Sequence, residues 1–526
     1  MTTDTAPPAS PGIDIFVVSH TNVGKTSLVR TLLGQDVGEV EDAPDVTKAL
    51  AAYDLVVAPD GGALRLWDTP GFGDSFRLAG RLRRKQRWLA WLVREVWDRR
   101  FHPALWRGQR LALELRARAS VVLYPVNLLE SPVDAVYVAP ELEILAWVGK
   151  PVLVLLNQGG DQGAGDRRAA EWRHHLGGFP VVQRVLGLDG YTRCWLQELA
   201  LFNEIGEVLP QPDRHAYHQL ALLLGQGYRR RFDASVEALA EYLLHLSGDT
   251  VEMDARWFDG IKDAWKSVRA RIPGGRNAQL TPFESGMQGL AQRYAEQTKA
   301  VTDKLIAINR LDGVSAAEIM ELAEEKLAVH KPVDASSSAL AGGVVSGILA
   351  GLGADLLTGG LSLGTGALVG GVMGAFGAAA LARGYNVYSH KDKKVVRWSA
   401  ASLAEALGNA TMLYLSIAHF GRGQGQWRRQ QTPQAWALAV QGVLGLQRER
   451  LSQLCSAQSA TPAVEPSPGE CQAVVREVLR EVLLCLYPDA GAVLPHGDDR
   501  ADAVPVPDQR SVHRNLPDTS ATVTRR

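Results

Sequence analysis

The sequence has few cysteines and no excess of charge of either sign. Its four cysteines, in 526 residues, form no C-x-x-C pair. This spacing argues against a zinc site or a disulfide framework and fits a reducing compartment. Lys and Arg total 56 and Asp and Glu total 57, so the formal charge of −1 indicates no polyanionic partner. Residues 1–12 lack the basic and apolar regions of a signal peptide, and we expect a disordered tail there.

What the sequence does contain is a phosphate-binding loop near its start. Residues 19–26 follow the pattern G-x-x-x-x-G-K-[ST], except that Ser19 stands at the first glycine. A buried-strand pattern precedes the loop, and a helical run from Ser27, ended by Gly34, follows it. Backbone N–H groups would face the phosphates, with Lys25 at the β- and γ-phosphates and the Thr26 hydroxyl on Mg²⁺. The predicted nucleotide contacts of the loop are Asn22, Val23, Gly24, Lys25, Thr26 and Ser27.

A second motif predicts the other side of the metal site. Asp68-Thr69-Pro70-Gly71 follows a short apolar run, as D-x-x-G follows a strand in P-loop switch proteins. Asp68 is predicted to hold Mg²⁺ through water, and the Gly71 N–H to contact the γ-phosphate, so that loss of this phosphate releases the loop. The polar, irregular residues 39–48 fit the first switch loop. Within them, Thr47 is the predicted second hydroxyl on Mg²⁺. The predicted metal ligands are Thr26, Thr47 and Asp68, and the predicted catalytic set is Lys25, Thr47 and Gly71.

The base-reading motif is incomplete. GTPases normally carry N-K-x-D after a strand, and here Asn157 follows the apolar run 151–156. Gln158 replaces the lysine, and Asp161 lies one residue late, after two glycines. We expect Asn157 and Asp161 to contact the base with a preference for guanine, although the motif alone leaves adenine open.

These motifs resemble those of the Era-like (TrmE–Era) P-loop GTPases. Asn22 matches the asparagine of their G-x-x-N-x-G-K-[ST] loop, and residues 68–72 match D-T-P-G followed by a hydrophobic residue. The segments HTNVGKTSLVRTL, VGEVEDAPDVT, LWDTPGFGDS and ELEILAWVGKPVLVLLN resemble a bacterial GTPase family whose C-terminal domain of unknown function (numbered three-four-eight-two) carries a glycine-rich apolar stretch. The resemblance implies GTP and GDP as ligands and hydrolysis of GTP to GDP and phosphate. Ser19 and Val46-Thr47 depart from its pattern.

Two residues bear on the rate of hydrolysis. Ras-like enzymes place a glutamine directly after D-x-x-G to orient the attacking water, whereas this chain has Phe72. Phenylalanine cannot hydrogen-bond water, so we expect slow hydrolysis by the domain alone. In some Era-like relatives the equivalent of Asn22 helps to hold a potassium ion, and the resemblance therefore implies K⁺ as a further cofactor.

The domain pattern places an α/β domain before a helical region. Residues 13–210 alternate strand and helix patterns, which predicts a mostly parallel sheet wrapped by helices. Within it, the insertion 75–115 is basic and tryptophan-rich, chiefly over 81–110. Such a segment fits a membrane surface, a nucleic acid, or packing of its apolar face on its own domain with the arginines in water.

The C-terminal part is predicted to be all-α. Residues 211–334 and 398–487 read as helical, with a linker at 457–470 and a disordered tail at 488–526. Between them, 335–397 reads as a glycine-rich apolar hairpin with a basic flank. Residues 339–382 contain Asp355 as their one formal charge before a basic cluster, and their glycines recur every fourth residue. This segment fits either a glycine-zipper hairpin in a membrane, with both ends in the cytoplasm, or a hairpin packed inside the protein.

Together these patterns predict a GTP-dependent switch coupled to membrane association or to a protein partner. The expected location is the cytoplasm, at the cytoplasmic face of the inner membrane. Two alternatives stay open: a nucleotide-holding scaffold with negligible turnover, and a dynamin-like membrane remodeller. No specific nucleic acid is expected, because the sequence pattern of the C-terminal half does not resemble a K-homology-type RNA module.

Overall fold

A computed structural model describes the helices and strands of the chain. It covers residues 12–20, 23–34, 50–83, 101–157, 162–188, 195–254, 282–310, 385–390, 393–419, 434–457 and 467–488. The chain divides into two compact units, with the boundary between Arg229 and Arg230. Thr21, Asn22, Thr47, Asp161, the central part of the basic insertion and the glycine-rich segment 339–382 lie outside these ranges.

The first unit is built on a six-stranded sheet. Its strands and helices, in chain order, are β1 (Ile13–Val17), α1 (Lys25–Leu33), β2 (Ala51–Val57), β3 (Ala63–Asp68), α2 (Ser75–Arg83), α3 (Pro103–Arg118), β4 (Val121–Asn127), α4 (Val138–Val148), β5 (Val152–Asn157), α5 (Gln162–Leu176), β6 (Val182–Gly187) and α6 (Trp195–Val208). The strand order is β2-β3-β1-β4-β5-β6. All neighbours are parallel except β2 and β3, which form an antiparallel pair. The predicted mostly parallel sheet is confirmed.

The central strands are apolar because helices cover both faces of the sheet. Every residue of β5 is buried, and so is nearly all of β4. Successive side chains alternate between two cores: Val122 packs in one with α2, α3, α4 and α5, and Leu123 packs in the other with α1 and α6. The carboxyl ends of β1, β3 and β5 consequently meet at one edge, where a ligand crevice forms in folds of this kind.

The second unit combines helices with a small antiparallel sheet. Its elements are the end of α7 (Gln211–Gly248), then β7 (Thr250–Asp254), α8 (Pro282–Ile308), β8 (Tyr385–His390), β9 (Lys393–Trp398), α9 (Ala400–Ala418), α10 (Gln434–Leu446), α11 (Arg448–Ala457) and α12 (Pro468–Leu486). The strand order is β7-β9-β8. A capping box begins α12, in which Ser467 accepts from the Glu470 N–H and Glu470 accepts from the Ser467 N–H.

The helical character of the C-terminal part is confirmed, but it is not all-α. The expectation of helix alone over 211–334 and of a charged flank before residue 398 missed β7, β8 and β9. β7, β8 and β9 have only five or six residues each, and β9 pairs antiparallel both with β8 and with β7, which is distant in the sequence. Among the described residues, the helices fall short of the length and apolarity that crossing a membrane would require.

Candidate nucleotide site

The loop between β1 and α1 is shaped by one glycine and one lysine. Gly24 precedes α1 with φ 89° and ψ 30°, a left-handed conformation that strongly favours glycine. Lys25 begins the helix and is buried. Its Nζ donates to the backbone oxygens of Ser19, at 3.3 Å, and His20, at 2.6 Å. The ammonium group is therefore held over the loop, in the place where a phosphate would need a positive charge.

The predicted metal side of the site is assembled from α1 and β3. The Thr26 Oγ1 donates to Asp68 Oδ2 at 2.8 Å. The other oxygen, Oδ1, is buried and accepts no hydrogen bond from the residues that the structure describes. Burial raises the pKa of Asp68, an effect that the Thr26 hydrogen bond and the Lys25 charge partly offset.

This arrangement fits a magnesium ion. A hydroxyl and a carboxylate oxygen are the hard ligands that Mg²⁺ takes, and a cation would supply the partner that Asp68 Oδ1 lacks. Thr47, the other predicted ligand, lies outside the described residues.

The D-T-P-G segment is tied to β1 and then turns into the core. The Thr69 Oγ1 donates to the Val17 backbone oxygen at 2.7 Å. Gly71 lies in the loop between β3 and α2. Phe72, next along the chain, is fully buried in the core that α3 covers. The side chain after D-x-x-G therefore points away from the solvent that would supply the attacking water.

The base-reading asparagine is connected to the phosphate loop. Asn157 ends β5 and is fully buried, and its Nδ2 donates to the Val23 backbone oxygen at 3.1 Å. Val23, Lys25, Thr26, Asp68 and Asn157 thus converge on one edge of the sheet. Gly24 and Ser27 are placed by the same loop and helix, whereas Asn22 and Asp161 fall outside the described ranges.

A polar cluster beside the loop was not predicted from sequence. Glu141 of α4 is fully buried and lies 3.0 Å, Oε1 to Nδ1, from His20 of the phosphate loop. The Tyr124 hydroxyl donates to the other Glu141 oxygen at 2.7 Å. The sequence signal was weak: Glu141 is one of two glutamates in a mostly apolar helical run, and glutamate is rarely buried without partners.

The described ends of the basic insertion pack on the domain. Leu78 of α2 and Leu105, Leu111 and Leu115 of α3 are buried in the same core. Arg83 forms an exposed ion pair with Glu143 of α4, and the Arg110 guanidinium lies 5.9 Å from the Trp106 ring centre. The packing alternative holds for these ends, and residues 84–100 are outside the described ranges.

Two family models match separate parts of the chain. Residues 14–158 match the 50S ribosome-binding GTPase family, and residues 325–480 match a domain of unknown function (DUF3482). No curated protein matches the chain significantly.

Several solved structures resemble the chain weakly. A variant of Aquifex aeolicus Era bound to GDP and aluminium fluoride is 18% identical, covers 38% of this chain and 57% of its own, and gives a TM-score of 0.28. Era with MgGDPNP and a 16S ribosomal RNA segment is 16% identical, with coverages of 57% and 89% and a TM-score of 0.27. A bacterial dynamin pair is 9% identical, with coverages of 91% and 82% and a TM-score of 0.22.

At these scores the structural likenesses carry no functional argument, and the assignment rests on the two family matches together with the site. The chain therefore carries a GTP-binding P-loop GTPase domain at residues 14–158 and a DUF3482 domain at residues 325–480.

Proposed function

We propose that this protein is a slow GTPase that acts as a nucleotide-dependent switch. The observation that carries the proposal is the pair of Thr26 and Asp68 beside the buried Lys25: Thr26 Oγ1 donates to Asp68 Oδ2, and the buried Asp68 Oδ1 accepts no hydrogen bond from the described residues. A buried carboxylate oxygen that accepts no hydrogen bond costs free energy, and a metal–triphosphate complex would relieve that cost.

Each residue of the site has a separate task in this proposal. Lys25 donates to the β- and γ-phosphate oxygens, in exchange for the two backbone oxygens it now contacts. Thr26, Thr47 and Asp68 hold Mg²⁺, which neutralises phosphate charge when it is bound. The Gly71 N–H donates to the γ-phosphate and is released when that phosphate leaves. Asn157 and Asp161 read the base.

The first test is a nucleotide-binding panel with GTP, GDP and ATP on the full chain. We expect tight, Mg²⁺-dependent binding of GTP and GDP and weak binding of ATP. Lys25→Ala should lower the GTP affinity roughly 10- to 100-fold, because it removes charge-assisted hydrogen bonds. Lys299→Ala, on the exposed face of α8, is the matched control. Equal binding of GTP by wild type and Lys25→Ala would contradict the proposal.

Slow turnover is the second part of the proposal. The buried Phe72 offers no hydrogen bond to water, so chemistry must rely on help from elsewhere. The resemblance of Asn22 to the potassium-holding asparagine of some Era-like GTPases implies potassium as that help. Multiple-turnover phosphate release should be faster in K⁺ than in Na⁺ at equal ionic strength, and equal rates would exclude the potassium role.

The packing of α3 supports a route from nucleotide to output. A Cβ on Gly108 would lie 2.5 Å from the Phe72 backbone oxygen, and one on Gly73 would lie 3.1 Å from the Ala104 backbone oxygen. The loop after Asp68 therefore lies directly against α3. Movement of Gly71 would displace α3, most of which belongs to the basic insertion 75–115.

We propose that the output is membrane association, at the cytoplasmic face of the inner membrane, or binding of a protein partner. The test is co-sedimentation of the full chain with anionic vesicles in GTP and in GDP. Nucleotide-dependent binding that is lost in Lys25→Ala would support the membrane output. Binding that ignores both nucleotide and variant would contradict it.

The burial of Phe72 also favours a second function, a nucleotide-holding scaffold with negligible turnover. A multiple-turnover phosphate assay separates the two. Sustained phosphate release in K⁺ supports the switch, and tight GTP binding without release supports the scaffold.

A further inference from the structure

The polar cluster formed by His20, Tyr124, Glu130, Tyr137 and Glu141 joins the phosphate loop to the start of α4. The Glu141 carboxyl group, fully buried, lies between the His20 ring and the Tyr124 hydroxyl, at 3.0 Å and 2.7 Å. The His20 ring stacks on Tyr137, with ring centres 4.2 Å apart and planes at 17°. The Tyr137 hydroxyl donates in turn to Glu130 at 2.7 Å. The His20 ring in the phosphate loop is thus held by Glu141 at its edge and by Tyr137 on its face.

The hydrogen-bond pattern assigns the direction of the contact. Burial and the neighbouring Glu141 raise the pKa of Tyr124, so its hydroxyl stays protonated and donates. Glu141 accepts at both oxygens when the His20 proton is on Nδ1, which is the tautomer that a carboxylate partner favours. The carboxylate thereby favours one tautomer and one orientation of the imidazole.

The backbone of His20 carries the consequence to the phosphate site. Its backbone oxygen accepts from Lys25 Nζ at 2.6 Å and from Ser19 Oγ at 3.2 Å. Ser19, the residue in place of the first glycine of the loop, therefore donates to the same oxygen that receives the lysine. An imidazole held in one orientation restricts the position of the His20 backbone oxygen. Because that oxygen accepts from Lys25 Nζ, it positions the ammonium group that would bind the phosphates.

We infer that Glu141 is a positioning residue for GTP binding, acting through His20 on Lys25. The inference rests on the proposed GTP-binding function of this site. A purely structural role would be served better by an apolar side chain, because a buried carboxylate is costly and adds negative charge near a site for anions.

The test uses pairs of variants in the full chain, read out by the affinity for fluorescent GTP and GDP analogues. His20→Phe keeps a ring to stack on Tyr137 but removes the Nδ1 donor. His20→Asn removes the ring but keeps an N–H donor close to the Nδ1 position. We expect His20→Phe to weaken GTP binding about tenfold, as loss of a hydrogen bond to a charged group does, and His20→Asn to stay within about threefold of wild type.

A double-variant cycle tests whether Glu141 acts through His20. Glu141→Ala should weaken GTP binding about tenfold in the wild-type background and by less than about twofold in the His20→Phe background. Glu143→Gln is the control, because Glu143 lies on the same helix, is partly exposed and pairs with Arg83 rather than with His20, and this variant should bind GTP as wild type does. If Glu141→Ala fails to fold, the comparison of His20→Phe with His20→Asn decides.

The outcomes distinguish failure of the Glu141 positioning role from failure of the proposed GTP-binding function. Wild-type affinity in His20→Phe, equal weakening by the Phe and Asn variants, or full additivity of Glu141→Ala with His20→Phe would overturn the positioning role alone. Absence of GTP binding by the wild-type chain would overturn the proposed function itself.

Discussion

Among individual side chains, the buried Asp68 carboxylate lowers the stability of the metal-free fold and is also the predicted Mg²⁺ ligand. Its Oδ1 is buried without a partner among the described residues, and burial raises its pKa above the ordinary value of 3.8. A carboxyl group with a raised pKa in the folded state favours folding most when it is protonated. Stability is therefore lost as the pH rises from about 3.8 through the folded-state pKa, and the full cost persists at neutral pH.

Replacing this carboxylate should separate stability from metal binding. We predict that Asp68→Asn raises the free energy of unfolding of the metal-free protein at pH 7, because the buried charge is gone. The same variant should lose Mg²⁺-dependent GTP binding by about tenfold or more, since a charged ligand is removed. Thermal unfolding with and without Mg²⁺, and GTP binding, measure the two effects.

Asp54→Asn, at an exposed position of β2, is the matched control for Asp68→Asn. It should change neither quantity. A metal-free Asp68→Asn protein less stable than wild type at pH 7 would contradict the cost assigned to the carboxylate.

Phe72 gives a prediction about turnover: introducing the glutamine that Ras-like enzymes use at this position should not speed GTP hydrolysis. Its side chain is fully buried in the core under α3, so a glutamine there would bury an amide instead of reaching water. We predict that Phe72→Gln lowers the free energy of unfolding by about 2–4 kcal/mol and leaves GTP turnover no faster. Chemical denaturation and a phosphate-release assay measure these effects, and faster turnover would refute the burial argument.

Among contacts between helices and loops, the packing of α3 against the loop after Asp68 should be the most sensitive to added side-chain volume. We predict that Gly108→Ala lowers the free energy of unfolding by about 1–3 kcal/mol, because its Cβ would lie 2.5 Å from the rigid backbone oxygen of Phe72. Gly80→Ala in α2 is the control, since a Cβ there meets nothing within 4 Å. It should raise stability by up to about 1 kcal/mol through helix propensity. Equal effects of the two substitutions in urea unfolding would contradict this packing.

The order of strand, loop and helix could be predicted because each signal is local. The apolar run before Ser19, the Gly24-Lys25-Thr26 sequence and Gly34 at the helix end lie within one short segment, and the structure places them as expected. Glu141 could not be assigned a role in the same way. It lies 121 residues from His20, and the two meet only once the chain has folded, with β1 paired to β4.

The small sheet was missed for a related reason. Its strand β7 pairs with β9 across a long stretch of sequence, and each strand has only five or six residues. The basic residues of 385–398 led to the prediction of a membrane flank, and the sequence KKVVRW of β9 shows no alternation of polar and apolar residues that would have indicated a strand. Short strands with distant partners give little local signal.

Over the entire chain, nucleotide should stabilise the first unit by mass action. We predict that GTP with Mg²⁺ at 100 times its dissociation constant adds about 2.7 kcal/mol to the free energy of unfolding of that unit, provided that only the folded state binds. Hydrogen exchange should slow most in α1, β3 and β5, which carry the site residues. Lys25→Ala should remove this protection at the same GTP concentration, and protection that persists in the variant would place the nucleotide elsewhere.

The pairing of β7 with β9 has a consequence for the integrity of the chain. The segment between Arg310 and Tyr385 leaves from α8 and returns through β8, while α8 itself packs against β7 and α9. Both ends of that segment are thus joined to one folded body by backbone ladders and helix packing. A protease cut within it would sever the covalent chain yet leave the two fragments held together as a complex, separable only under denaturing conditions.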